Sequence, residues 1–331
     1  MNAFLADYGL FLAKTLTFVL AIGAVAVLVA GAARRGKPSA ERLEVSSLNE
    51  RYERMADVVR RAMLPKTALR AYLKETRQRH KAERKARAKE EGRPRLFVLD
   101  FQGDLRATAV AALREEINAI VGVAGKDDEV LVRLENAGGL VHEHGLAASQ
   151  LARLRDKGLR LTVAVDKVAA SGGYLMACVA ERILAAPFAV VGSIGVLMQL
   201  PNFHRWLEEH GVDFEQFTAG EFKRTVTMFG ENTEEGRAKL QTQLEQTHGL
   251  FKDFVTRHRP GLDMARIATG EYWYGTQARE LGLVDELVTS DDYLLAASAQ
   301  RDLYRVRYTV KKGVVARLSV VARDALARLG L

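Results

Sequence analysis

The order of apolar runs predicts an α/β domain with parallel strand pairing. Residues 96–101, 129–134 and 161–165 are short apolar runs with the length of buried strands. Each precedes a stretch suited to a helix: 108–123, then from Asn136-Ala137-Gly138-Gly139 to about Asp156, then 174–180. Strand and helix in alternation argue for crossover connections, since a parallel neighbour is reached only over a face of the sheet.

The first strand begins after Gly92-Arg93-Pro94, and the helix over 108–123 shows its period in Val110, Ala111, Leu113, Ile117, Ile120 and Val121. Residues 183–200 are apolar enough to resemble a membrane span, but Pro187, Gly192, Ser193 and Gly195 divide them. They are expected to form short buried strands at 183–186, 189–191 and 194–197. A short helix over 201–210, a strand over 213–218 leading to Lys223, and a long helix over 233–257 follow. Residues 272–282 and 283–288 give a final helix and strand. There is no internal repeat, so one catalytic domain spans 95–290, with 291–331 as a C-terminal extension.

Ahead of that domain lie two appendages. Residues 15–33 carry no charge and end at Arg34-Arg35-Gly36-Lys37, a length that just spans a bilayer core. A cleaved signal peptide is the rival reading, with Ala30-Gly31-Ala32 as its site. A retained anchor over 1–35 is favoured, because the run is long for a signal peptide and the residues before it include Asp7 as well as Lys14. Residues 36–94 form a polar, basic stalk of helical propensity. Leu43, Leu48, Tyr52, Met55, Val58, Val59 and Met63 fall at roughly helical spacing before Pro65 interrupts it.

Between Lys66 and Arg95 there are twelve Lys or Arg and four Glu, an excess that equals the net charge of +8 for the whole chain. The remainder is neutral, so the charge gives no case for nucleic acid, and the basic run lacks interleaved aromatics. It is either a solvated stalk or an arm on anionic membrane lipid, where each basic residue contributes about 1 kcal/mol.

Composition excludes several chemistries. The one cysteine, Cys178, permits no intramolecular disulfide and no Cys-based zinc cluster, and its apolar surroundings mark a structural thiol. His142-Glu143-His144 would put two rings on one face of a strand, but no third metal ligand is evident. No phosphate-binding P-loop is present. No cofactor or metal is expected.

The chemistry centres on Asp166-Lys167-Val168-Ala169-Ala170-Ser171-Gly172-Gly173-Tyr174. A serine on a tight strand-to-helix turn exposes its hydroxyl, and backbone N–H groups at the helix start can hold an oxyanion. Such a serine needs a base. The histidines fall mostly in polar, helical surroundings, which leaves a lysine held neutral by burial as the other solution. Burial disfavours an ammonium by up to about 3–5 pK units. Lys223, in Thr218-Ala219-Gly220-Glu221-Phe222-Lys223, is the candidate.

Four motifs together resemble the signal peptide peptidase A family of membrane-bound serine proteases, and within it the SohB-type inner-membrane branch. They are Asp-x-x-x-Ala-Ser-Gly-Gly-Tyr at 166–174, Val-Gly-Ser-Ile-Gly-Val at 191–196, Gly-x-x-Lys-Arg at 220–224 and Ala-x-x-Leu-Gly-Leu-Val-Asp at 278–285. The resemblance implies Ser171 as nucleophile, Lys223 as general base and Ser193 as the residue that orients the lysine. It implies an oxyanion hole from Gly172 and from Gly138 or Gly139. Family members usually read Ser-Pro before that Gly-Gly turn, where this chain has Asn136-Ala137. Proline stiffens a turn by fixing φ, so its absence could loosen the hole.

The fold implied by the resemblance is the ClpP/crotonase spiral of βαβ units, assembled as a homo-oligomer. The implied function is an endopeptidase cutting hydrophobic peptides, such as cleaved signal peptides, at the bacterial inner membrane. The family suggests a periplasmic catalytic domain, whereas the basic residues after 15–33 suggest a cytoplasmic one. Two rivals are an acyl-CoA hydratase or isomerase of the same fold and a non-catalytic membrane scaffold. Neither accounts for Ser171, Ser193 and Lys223 together.

Overall fold

The computed structural model describes residues 8–23, 41–87 and 93–310. Two compact units divide the chain. One is Val45–Arg307; the other holds the described residues outside it. Helix α1 (residues 8–23) belongs to the second unit and carries exposed Phe11, Leu16, Phe18 and Leu20. No helix among the described residues is long and apolar enough to cross a membrane. Most of the apolar run 15–33 lies outside the described residues.

Strand β1 (Glu41–Ser47) leads into α2 (Leu48–Met63) and α3 (Lys66–Arg87). Residues from Glu41 were expected to be helical throughout, but the helix begins only at Leu48. Ser47 is its N-cap, and the Ser47 side chain accepts from the Glu50 N–H at 3.3 Å. Pro65 separates α2 from α3 as expected, since proline removes a donor the helix needs. Tyr72 of α3 donates its hydroxyl to Asp57 of α2 at 2.7 Å, so the two helices fold back on each other.

The main sheet holds β2 (Arg95–Gln102), β3 (Glu129–Glu135), β4 (Arg160–Val165), β6 (Arg182–Ala185) and β9 (Glu286–Leu287). All run parallel to their neighbours. Strand β10 (Asp302–Val310) pairs parallel with β2, placing Asp302 opposite Arg95, and the sheet order is β1-β10-β2-β3-β4-β6-β9. The segment expected as a C-terminal extension thus adds a strand to the sheet, together with α11 (Ser290–Ser298).

Helices α4 (Val110–Val121), α5 (Val141–Asp156) and α6 (Gly172–Ala177) pack on one face of this sheet, against Phe97, Leu99, Phe101, Val130 and Val132. The alternate residues Leu96, Val98 and Leu131 face the other side, with Leu48 of α2 and Leu294 of α11. Burial on both faces explains why these strands read as unbroken apolar runs.

A second sheet holds β5 (Val168–Ala170), β7 (Val190–Gly192) and β8 (Tyr272–Tyr274), with β5 and β7 parallel and β7 and β8 antiparallel. The short strands expected at 183–186 and 189–191 are β6 and β7. Residues 194–197 are irregular, as are 213–218, which were expected to be a strand. Residues 211–224 are exposed throughout, so among the described residues no neighbour supplies the ladder bonds a strand there would need. Helices α7 (His204–Glu209), α8 (Glu234–His258), α9 (Met264–Ile267) and α10 (Gly275–Glu280) are the remaining elements among the described residues.

Candidate active site

Ser171 sits between β5 and α6 with φ of +51° and ψ of −119°. A non-glycine residue held there costs on the order of 1–3 kcal/mol, which the surroundings must offset. They do so through the backbone: Ser171 N–H donates to Gly192 O at 2.8 Å, and Ser171 O accepts from Leu175 N–H at 3.0 Å. The helix that follows is buried along its whole length. Its Tyr174 hydroxyl donates to Leu283 O at 3.0 Å, and burial pushes that phenol up from its ordinary pKa. Burial likewise pushes the Cys178 thiol up, which suits the structural role expected of it.

The turn Asn136-Ala137-Gly138-Gly139 lies against Ser171. A Cβ added to Gly138, whose φ is +92°, would stand 2.7 Å from Ser171 Cβ and 2.9 Å from Gly172 N. A Cβ on Gly139 would meet Leu105 O at 2.3 Å. Only glycine fits either place. Leu105 O also accepts from Leu140 N–H at 2.9 Å, tying the turn to the loop after β2.

Of the three candidate oxyanion donors, one is already engaged. Gly138 N–H donates to Asn136 Oδ1 at 2.9 Å. The N–H groups of Gly139 and Gly172 make no hydrogen bond among the described residues, and Gly172 stands at the N-terminus of α6. Two free backbone donors beside a strained serine form an arrangement that can hold a tetrahedral oxyanion.

Ser193 is the second serine with φ of +51°. Its N–H donates to Glu271 O at 2.7 Å and its hydroxyl to Gly270 O at 3.3 Å. Lys223 is exposed. It lines a cleft of about 710 Å³ with Leu200, Phe214, Phe217, Met228 and Phe229, and Ser171 is not among the residues lining that cleft. Among the described residues no hydrogen bond joins Lys223 to Ser171 or Ser193. The burial expected for Lys223 is therefore not met within one chain, because the segment carrying it lies open to solvent. Ser171 and Ser193 are brought onto one ladder; the lysine is not.

Two residues near the serine had other readings in the sequence. His142 and His144 lie on helix α5 rather than a strand, so they do not share a face: His142 is exposed and His144 is fully buried. The His144 ring reaches Leu140 O at 3.0 Å through Nδ1 and Asn136 Oδ1 at 3.2 Å through Nε2. The signal for Asn136 was present, since an Asn two residues before a glycine favours an Asx turn.

A scan of family models matches residues 3–151 to "Peptidase family S49 N-terminal" and residues 153–304 to "Peptidase family S49". The chain belongs to peptidase family S49. This S49 peptidase is 47% identical to the probable protease SohB of Haemophilus influenzae, over 98% of this chain and 95% of that one. It is 44% identical to the probable protease SohB of Buchnera aphidicola subsp. Acyrthosiphon pisum, over 96% and 94%. Among solved structures it is similar to a mutant of the 1510-N membrane-bound stomatin-specific protease. That match has a TM-score of 0.42 and 11% identity, covering 62% of this chain and 84% of the other.

Proposed function

We propose that this S49 peptidase is a serine endopeptidase with Ser171 as nucleophile and Lys223 as general base, acting on hydrophobic peptides such as cleaved signal peptides. The observation that carries the reading is the pair of free N–H groups, Gly139 and Gly172, beside a serine held at φ of +51°. Family membership adds the expectation of a ClpP/crotonase-type spiral, and the stacking of βαβ units on a parallel sheet suits it.

Ser171 Oγ attacks the scissile carbonyl carbon as Lys223 Nζ accepts the hydroxyl proton. The carbonyl oxygen becomes an oxyanion held by Gly139 and Gly172. Collapse breaks the C–N bond, and the proton on Lys223 passes to the leaving amine. Water then attacks the acyl-enzyme and gives a proton to Lys223; collapse breaks the bond between the acyl carbon and Ser171 Oγ, Lys223 returns that proton to Oγ, and the acid product leaves. Each oxyanion donor is worth on the order of 10²–10³ in rate.

An exposed ammonium is a poor base, so Lys223 must be covered to act. A second copy of this chain is the proposed cover. The segment around Lys223 exposes Phe217, Phe222 and Phe229, an apolar surface suited to burial in a homo-oligomer. We place the protein at the bacterial inner membrane, anchored through residues 15–33, with membrane lipid as a further partner of the basic arm.

A fluorophosphonate probe tests the reading. It should label the parental protein on Ser171 and leave Ser171→Ala unlabelled. An intact parental protein that takes no label favours a hydratase or a scaffold and overturns the protease.

A further inference from the structure

The chain lacks the proline that would stiffen its oxyanion turn, yet the turn is held in place. Asn136 holds it. This side chain is almost fully buried and is enclosed so closely that a Cβ on Gly103 would stand 2.3 Å from it. Its Oδ1 accepts from Gly138 N–H at 2.9 Å, closing an Asx turn across Ala137. Its Nδ2 donates to Met176 Sδ at 3.3 Å, in the helix that follows Ser171. Its backbone N–H donates to Val168 O and its carbonyl accepts from Ala170 N–H, at 2.9 and 3.0 Å. One residue therefore fixes the oxyanion turn, the strand before the nucleophile and the helix after it.

His144 completes the bracket. The Gly138 N–H fixes the Asn136 amide, because a flipped amide would oppose two donors. The facing Nε2 of His144 donates to Oδ1 in the tautomer that carries its proton there. The ring also packs on the turn itself: a Cβ on Gly172 would lie 2.5 Å from His144 Cγ. Nδ1 faces Leu140 O at 3.0 Å, an oxygen that also accepts from the N–H groups of Glu143 and His144.

We propose that Asn136 and His144 are positioning residues for the oxyanion hole, with the Asn136 side chain setting the turn that a proline ring would otherwise set. The proposal rests on Ser171 being the nucleophile. It also assigns the working donors: Gly138 N–H is committed to Asn136, which leaves Gly139 and Gly172.

The test is steady-state cleavage of a fluorogenic apolar peptide by the full chain, with fluorophosphonate labelling rates alongside. Asn136→Ala should lower kcat about 10²-fold, the cost of a misplacement of about 1 Å. KM should change little, because the lost interaction is made only in the transition state. Adding Ala137→Pro should recover about tenfold, since proline restores the fixed φ. Proline fits there: Ala137 N–H donates no bond among the described residues, and Asn136 lies in a β-bridge, the extended form a following proline requires.

His144→Phe keeps the ring on Gly172 but removes the Nε2 donor, and should lower kcat by about tenfold. If Asn136→Ala does not fold, Asn136→Ser with and without Ala137→Pro gives the same comparison. A folded Asn136→Ala at the parental kcat overturns the proposal, as does a double variant no faster than the single one. Ser171→Ala separates the two levels: if it still cleaves and labels, the nucleophile assignment itself has failed.

Discussion

The backbone N–H of Ser171 donates to the carbonyl oxygen of Gly192 at 2.8 Å, so the proposed nucleophile and the residue preceding Ser193 share one hydrogen bond. Both serines hold φ near +51°, in a region that non-glycine residues rarely enter. The turn between β5 and α6 and the end of β7 are thus built as a single strained unit. Ser193 N–H in turn donates to Glu271 O at 2.7 Å, next to β8.

Within one chain Lys223 is exposed, and in the proposed assembly a second copy covers it. Lys223→Arg should keep the fold of the single chain, read by circular dichroism, with the oligomeric state measured alongside because a guanidinium must fit the covered site. It should still abolish peptide cleavage, because a guanidinium remains protonated and cannot accept the Ser171 proton. Ser193→Ala should be milder. A stable Lys223→Arg protein that cleaves at the parental rate would remove Lys223 from the mechanism.

Close packing behind the nucleophile sets a second expectation. A Cβ on Gly173 would stand 2.1 Å from Asn136 O, a backbone atom engaged by Ala170 N–H. Gly173→Ala should destabilise the fold by about 1–3 kcal/mol. Urea denaturation measures this, and an unchanged midpoint would show that the turn can move.

Acid stability should depend on Asp128. Burial alone would raise its pKa, but hydrogen bonds outweigh that and hold the carboxyl below its ordinary value. They come from the Arg95 side chain, Gly125 N–H and Arg95 N–H. A carboxylate with a depressed folded-state pKa contributes stability above its unfolded value, about 3.9, and loses it as pH falls through the folded value. Asp128→Asn should therefore cost about 2 kcal/mol at neutral pH, the scale of hydrogen bonds to a charged group. That cost should shrink as pH drops below about 4. A difference that stays constant between neutral pH and acid would exclude the linkage.

Membrane attachment has two separable parts. Intact-mass measurement of the purified protein should show residues 15–33 retained; a mature N-terminus near Ala33 would mean a cleaved signal peptide. Liposome binding by protein lacking residues 1–35 should fall steeply with salt if α3 lies on anionic lipid. Salt-insensitive binding, or none, would leave α3 as a stalk.

The sequence by itself determined what is local. Apolar runs of strand length, helical periods such as Val110-Leu113-Ile117-Ile120, and Gly172-Gly173 after Ser171 encode strands, helices and the sharp turn, since each depends on neighbouring side chains and on φ. Pro65 marked its helix break for the same reason. Only the tertiary structure decided what depends on distant pairing. Strand β10 enters the sheet beside β2 because Leu303 finds a buried place with Leu96 and Val98, residues far earlier in the chain. His144 turns inward because the Asn136 amide, fixed by Gly138, offers it an acceptor in the core. Within one chain Lys223 stays in solvent because residues 211–224 gain no strand partner among the described residues, and no local pattern states whether a neighbour will come.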